Sequence, residues 1–250
     1  MAGIKENTFR VNKALGLLLA LVTLVGCNSG VQTETKQEKQ TIAYNQFELS
    51  VDSDNKKQYL DTLSNPLTGH FVVMRDTLIS QEFQVENGQL NGVHIFYNGQ
   101  GKITSEQNYL NGELNGESIT YYPSNGNVRS KESYAAGQRT GEVLEYNVAG
   151  QLVSKKTTSE GIDYVHYYRD EKIIGSSFIQ TIEAIEYDLL VTYDPFENVN
   201  RVLGQKTNTD RGEWVYTFNQ SFKLVDSVDM ANDPQNAQLI YQILQDLAQQ

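Results

Sequence analysis

Residues 109–121 read Tyr-Leu-Asn-Gly-Glu-Leu-Asn-Gly-Glu-Ser-Ile-Thr-Tyr, and 24 residues earlier, at 85–97, stands Val-Glu-Asn-Gly-Gln-Leu-Asn-Gly-Val-His-Ile-Phe-Tyr. A weaker copy, Tyr-Ala-Ala-Gly-Gln-Arg-Thr-Gly-Glu-Val-Leu-Glu-Tyr, follows at 134–146. Working outward, Gly69, Gly92, Gly116 and Gly141 fall at intervals of 23, 24 and 25, and Gly88, Gly112, Gly137 and Gly161 at 24, 25 and 24. Apolar columns keep step between them: Val72, Ile95, Ile119, Leu144; Met74, Tyr97, Tyr121, Tyr146; Ile79, Ile103, Val128, Leu152; and Val85, Tyr109, Tyr134. Like residues at one period mark a repeat architecture, in which each unit buries its apolar side by leaning on its neighbours.

One unit explains the spacing. Gly116 to Tyr121 alternates apolar or aromatic residues with small polar ones, the period-2 signature of a half-buried strand. Pro123-Ser124-Asn125-Gly126 supplies a turn, and the alternation resumes in Val128, Ser130, Glu132 and Tyr134 against Arg129, Lys131 and Ser133. The spacing therefore predicts a mainly β fold, a meander of tandem antiparallel hairpins of about 24 residues each over 65–179. The Gly-rich phrases Asn87 to Gly92 and Asn111 to Gly116 read as the turns between hairpins. Gly161 opens a last copy, but Val165 replaces its second glycine, so the array is expected to change character there.

The pattern Tyr-x-Asn-Gly-x-Leu-Asn-Gly-x-x-x-x-Tyr resembles the variant MORN repeat of bacterial proteins, some of them described as antitoxin-like. The resemblance covers roughly 110 of the 250 residues. It implies an elongated antiparallel meander and suggests an association with membranes or partner proteins, although fold likeness alone does not define a function.

The N-terminus carries an address. Lys5, Arg10 and Lys13 precede an apolar run from Ala14 to Gly26, too short for a membrane-spanning helix, so residues 1–26 read as a signal peptide. An ordinary signal peptide followed by a stray cysteine is one reading. However, Leu24-Val25-Gly26-Cys27 resembles the bacterial lipobox, and Cys27 is the chain's sole cysteine. The resemblance implies cleavage before a lipidated Cys27, with several acyl chains giving a firm anchor. Asn28 after the cysteine resembles default sorting to the outer membrane. Residues 27–40 form the lipidated cysteine and a polar tether that spans about 20 Å as a flexible coil.

Once Cys27 is modified, no thiol remains for a disulfide, a nucleophile or a metal. Removing residues 1–26 takes away Lys5, Arg10, Lys13 and Glu6, and the net charge goes from −11 to −13. Nucleic acid is excluded as a partner because phosphate binding requires a cationic surface.

Residues 41–64 read as a lead-in segment with one or two strands. Beyond the array, 180–230 holds further strands, notably Ile185 to Tyr193 and Gly212 to Phe218, as a diverged repeat or cap. Asp233-Pro234 is a helix start, and Ala237, Ile240, Ile243, Leu244 and Leu247 give a C-terminal helix over 233–250 one apolar face.

No catalytic motif assembles. His70, His94 and His166 stand at unrelated repeat positions and read as solvent-facing strand residues. Asp52-Ser53-Asp54-Asn55 lacks the glycine and distal glutamate of a calcium loop. No cofactor or metal is expected. Within the repeats, the uniform column of Ile119 suggests burial, and the variable column Val73, Phe96, Thr120, Glu145 suggests exposure. The same logic puts Arg129, Lys131 and Lys155 on the variable face as a small basic partner-binding group. The plainer reading is ordinary surface charge partly neutralised by Glu145. The resulting expectation is a lipid-anchored, non-catalytic binding or scaffolding module for a protein or envelope polymer. An antitoxin or immunity role and an envelope hydrolase are the alternatives.

Overall fold

The computed structural model describes residues 38–51, 56–208 and 213–248, with side chains of the last helix followed to residue 245. The signal peptide, Cys27, most of the tether and the Asp52 to Asn55 stretch lie outside the described residues.

Strand β1 (Lys39–Ala43) is followed by a short 3-10 turn and by β2 (Phe47–Val51) and β3 (Lys57–Asp61), which pair only with each other. Then come β4 (Gly69–Arg75), β5 (Leu78–Glu86), β6 (Gln89–Tyr97), β7 (Ile103–Leu110), β8 (Glu113–Tyr121), β9 (Val128–Ala135), β10 (Gln138–Tyr146) and β11 (Leu152–Ser159). The series continues through β12 (Ile162–Arg169), β13 (Lys172–Ile182), β14 (Ile185–Tyr193), β15 (Val199–Lys206), β16 (Trp214–Phe218) and β17 (Leu224–Asp229), and ends in helix α1 (Pro234–Ala248). The fold is mainly β: one 15-stranded sheet in which β4 to β17 each pair antiparallel with the next, while β1 lies parallel to β4. The array does not stop near residue 179; β13 passes through that point and pairs with β14 from Gly175 to Ile182.

Two turn designs alternate. The tight ones place two successive residues at positive φ, as at Asn87-Gly88, Asn111-Gly112 and Ala136-Gly137, the geometry that suits the twist of a hairpin. The wider ones open on an Asn or Asp whose side-chain oxygen accepts two backbone N–H groups. Asn98 Oδ1 accepts from Gln100 and Lys102, Asp194 Oδ1 from Phe196 and Asn198, and Asn219 Oδ1 from Ser221 and Lys223. A left-handed residue closes each loop: Gly101, Glu197 and Phe222.

The second glycine of each repeated phrase is not part of a turn. Strand β8 already begins at Glu113, and Gly116 (φ +105°) lies where its register against β7 slips between Gln107 and Tyr109. Gly92 (φ +117°) occupies the equivalent slip between β6 and β5. These are bulges, which explains why the column needs glycine.

The pairing defines two faces. On the front lie Val73, Gln81, Phe96, Ser105, Thr120, Ser130, Glu145 and Ser154; on the back lie Val72, Glu82, Ile95, Glu106, Ile119, Lys131, Leu144 and Lys155. Three buried clusters form, all toward the ends. At the N-terminal end, Phe47 and Tyr59 from the β2–β3 pair cover Phe71, Val73, Phe83 and Leu90 on the front. At the other end α1 lays Ile240 against Leu203, Val215 and Val228, also on the front. The back of β12 to β16 holds Phe178, Leu189, Val202 and Phe218. There Gly204 of β15 has no side chain, so Tyr187 and Phe218 meet across it with ring centroids 5.1 Å apart, although their strands stand about 10 Å apart.

Candidate functional site

Between these clusters β7 to β11 contribute to no buried cluster except through Tyr109 at the margin. The main contacts between layers are β3 with β6 and α1 with β17, both outside this stretch. The uniform column is not a buried one here: Ile95, Ile119 and Leu144 are half-buried, and so is Thr120 on the front, whereas Val73 of the variable column is 0 % exposed. Uniformity reflects lateral packing along the back. Ile119 lies between Glu106 and Lys131 in direct cross-strand register, and Leu144 between Lys131 and Lys155.

That register corrects the expected basic group. Lys131 and Lys155 share the back face with Ile119, not the variable face with Thr120. Lys131 pairs with Glu117 at 3.3 Å and Lys155 with Glu142 at 2.6 Å; Glu145 instead faces Ser154 and Lys156 on the front. Arg129 sits at the slip between the Thr120–Ser130 and Tyr121–Val128 pairs, exposed and without an ion pair among the described residues. A bulge in each repeat inverts the alternation, which is why counting by twos across the turn assigned the wrong face. Cys27, the expected lipidation site, lies outside the described residues.

The histidines are not solvent-facing either. His70 donates from Nε2 to Glu82 Oε1 at 2.7 Å, and the same oxygen accepts from Lys39 Nζ at 2.6 Å. Burial alone would raise the Glu82 carboxyl, but these two donors outweigh it and hold it below its usual range. His94 is 3 % exposed, packed against Phe83, Phe96 and Tyr109. Burial, reinforced by the Lys57 charge, pushes it down to about 4, so the ring is neutral at pH 7. His166 Nδ1 is 2.8 Å from Ser176 Oγ, and its Nε2 is 3.3 Å from Thr157 Oγ1; the shorter pairing looks like a nucleophile and its base. Ser176 is 2 % exposed, so no substrate carbonyl can approach it.

A groove of about 860 Å³ opens on the front face at the N-terminal end. The β2–β3 pair supplies one wall through Leu49, Lys57 and Tyr59, and β5 to β7 supply a floor through Gln81, His94, Phe96, Gln107 and Tyr109. Sequence reading missed it because its wall comes from a segment outside the repeat, and nothing in the sequence says which face that segment covers. A signal was present: the front column runs Phe83, His94, Phe96 in the first copy and turns to Gln107, Ser118, Thr120 in the next.

No protein-family model matches the chain, and no curated protein matches it. Among the described residues, no group of His, Cys, Asp and Glu is placed to hold a metal, and no helix is long and apolar enough to cross a membrane.

Proposed function

We propose that the chain is a non-catalytic binding or scaffolding module of a bacterial cell envelope, held at the outer membrane by a lipid on Cys27, whose β surface engages a protein or an envelope polymer. The observation that supports the binding role is the uncovered stretch β7 to β11, where both faces of a single sheet offer half-buried side chains. The back carries the tyrosines Tyr121 and Tyr146 beside the Ile119 row, and the front carries a hydroxyl-rich strip in which Thr120 and Ser130 bond at 2.7 Å. Half-exposed aromatic and apolar side chains in a continuous row are the composition of interaction surfaces. The likeness of the repeated phrase to MORN repeats points the same way.

Site-specific photo-crosslinking in the native envelope tests the reading. A photoreactive residue at Thr120 or Lys131 is expected to form a discrete adduct that the same residue at the exposed helix position Gln238 does not. Equal labelling from all three positions, or none from the first two, would remove the binding role. The address is tested separately by labelled palmitate, whose incorporation should disappear in Cys27→Ser.

A further inference from the structure

The groove on the front face presents a one-sided chemistry. In a chain with 31 acidic and 20 basic side chains, three cations line it: Lys56, Lys57 and Arg75. Among the described residues its one lining carboxylate, Glu113, is taken by Lys56 at 3.1 Å. Lys57 and Arg75 have no carboxylate within pairing distance among the described residues. Arg75 is held over the ring of Tyr44, 4.3 Å from its centroid, a contact that positions the guanidinium through its face.

The floor is equally directional. Gln81 Oε1 accepts from His94 Nε2 at 2.9 Å, and Gln107 Oε1 accepts from the Tyr109 hydroxyl at 3.0 Å. Each carboxamide oxygen already accepts one bond, and neither NH2 group has a hydrogen-bond partner among the described residues. The amides and the two cations therefore offer chiefly donors. Between them lie the half-exposed rings of Phe96 and Tyr109, with Phe96 steadied by a ring contact of 4.0 Å to His94.

A ligand complementary to this groove must be rich in acceptors, carry negative charge, and have a flat apolar face to lie on the rings. An extended peptide fits less well, because its backbone N–H groups are fixed in direction and those facing the donor-rich floor would be left unpaired, whereas a hydroxyl can turn its hydrogen to solvent and present its lone pairs. A pyranose ring bearing a carboxylate fits all three requirements: its C–H face packs on the aromatic rings, its ring and hydroxyl oxygens accept from Gln81 and Gln107, and its carboxylate meets Lys57 and Arg75. We propose that this groove is a binding site for acidic saccharides, chains of pyranose rings that carry carboxylates. The site shares β7 and the start of β8 with the open stretch but neither of the crosslinking positions Thr120 and Lys131, so loss of the crosslinks proposed above leaves it standing.

The full chain, purified in detergent, is titrated calorimetrically with tetragalacturonate, with the uncharged galactose tetramer, and with inositol hexakisphosphate as an anion lacking a free apolar ring face. Binding of tetragalacturonate alone is expected, weakening as salt rises because charge pairs at an open groove are screened. Lys57→Ala and Arg75→Ala, both at exposed positions, should each reduce affinity about tenfold, the scale of one charge-assisted contact. Gln107→Glu, which replaces the free NH2 with an anion, should abolish binding, while the exposed control Lys223→Ala should change nothing. Melting temperatures equal to wild type show that each variant is folded. Failure of tetragalacturonate to bind would overturn the proposal. So would equal affinity for the uncharged tetramer, equal affinity for inositol hexakisphosphate, or indifference to both cation variants.

Discussion

Strands β6 and β8 are successive copies of one phrase, yet they live in different surroundings. On the front of β6, His94 is 3 % exposed and lies beneath Tyr59, whereas its counterpart on β8 is the small Ser118, 9 % exposed, in a stretch that no second layer of the described residues covers. On the back the two strands are alike: Ile95 faces Glu82 and Glu106, and Ile119 faces Glu106 and Lys131. The difference teaches what column variability means in this chain. On the back each isoleucine is flanked by long charged side chains of both neighbouring strands, so its surroundings repeat from copy to copy. The front columns vary because what stands over them changes along the array, from an aromatic cover to none among the described residues.

The sharpest way to break that comparison is to remove bulk from each region. Phe83, 0 % exposed and in ring contact with Phe47, Tyr59 and Phe71, should cost about 3–5 kcal/mol on replacement by Ala, the range for a buried aromatic. Ile119→Ala should cost about 1 kcal/mol, since a half-buried side chain loses only part of the transfer free energy of a buried one. Urea unfolding of both variants reads the difference, and equal costs would mean that something covers the middle. Hydrogen exchange sharpens the same point: amides of β8 to β10 should exchange faster than those of β4 and β5.

Acid should separate the two ends next. His94 stands at about 4 in the folded chain against 6.5 as its ordinary value. The unfolded chain therefore binds more protons between those values, and stability falls as pH drops from about 6.5 toward 4, by about 3 kcal/mol in all. Above about 6.5 the group contributes no pH dependence. His94→Gln should flatten this part of the stability-against-pH curve while leaving the slope below pH 4 to the carboxylates. A slope unchanged by His94→Gln would show that the histidine is not held neutral by burial.

The period of the meander was legible because Gly88, Gly112 and Gly137 mark turns that need positive φ, and such marks survive in sequence. The turns at Asp170-Glu171 and Glu183-Ala184 take the same conformation without glycine, so they left no mark and the array was bounded at residue 179. The helix was legible from Asp233, whose carboxylate accepts the Asn236 backbone N–H, and from the spacing of Ala237 and Ile240, both buried. Leu244, expected on the same face, is 42 % exposed because α1 meets only the edge strands. The faces were half legible. Alternation within a strand is a local property, but the slips at Arg129 and Val153, just past the wide turns, break the count between strands, so Lys131 and Lys155 were placed on the wrong side. The groove was not legible, since it depends on β2 and β3 folding back over strands well beyond them in the chain.

At the C-terminal end the test is a methyl group added where none fits. A Cβ at Gly204 would stand 2.8 Å from a Leu189 methyl and 2.9 Å from the Phe218 ring, closer than such atoms pack. Gly204→Ala should therefore cost about 2 kcal/mol through overpacking, although Gly204 has no unusual backbone angle. Gly126→Ala, also a methyl addition, meets no atom but sits at φ +80°, so its cost should be about 1 kcal/mol from backbone strain alone. Thermal melts of the two compare packing with strain. A smaller loss at Gly204 than at Gly126 would mean that the C-terminal cluster can open without cost.

The smallest effect expected is the most discriminating for the middle. Were the Ile119 column buried in an apolar layer, Ile119→Lys would force an unpaired charge into it and cost several kcal/mol. On an open back face the new side chain lays its aliphatic stem where isoleucine lay and carries its ammonium to water. Its cross-strand neighbours are Glu106, which attracts it, and Lys131, which repels it, each directly opposite in register. Opposing pair terms of this kind are worth about 0.2–1 kcal/mol each, so the net cost should stay below about 1 kcal/mol. Adding Lys131→Glu to the same chain gives the new lysine an acid on both sides and should return stability to within about 0.5 kcal/mol of wild type. Thr120→Lys on the front should also stay within about 0.5 kcal/mol, the range of surface changes. The informative result is the dependence on concentration. A several-kcal/mol loss at Ile119 that grows with protein concentration, with Thr120→Lys unaffected, would mean that a second copy covers the back face, and the middle of the sheet would then be an interface and not an open surface.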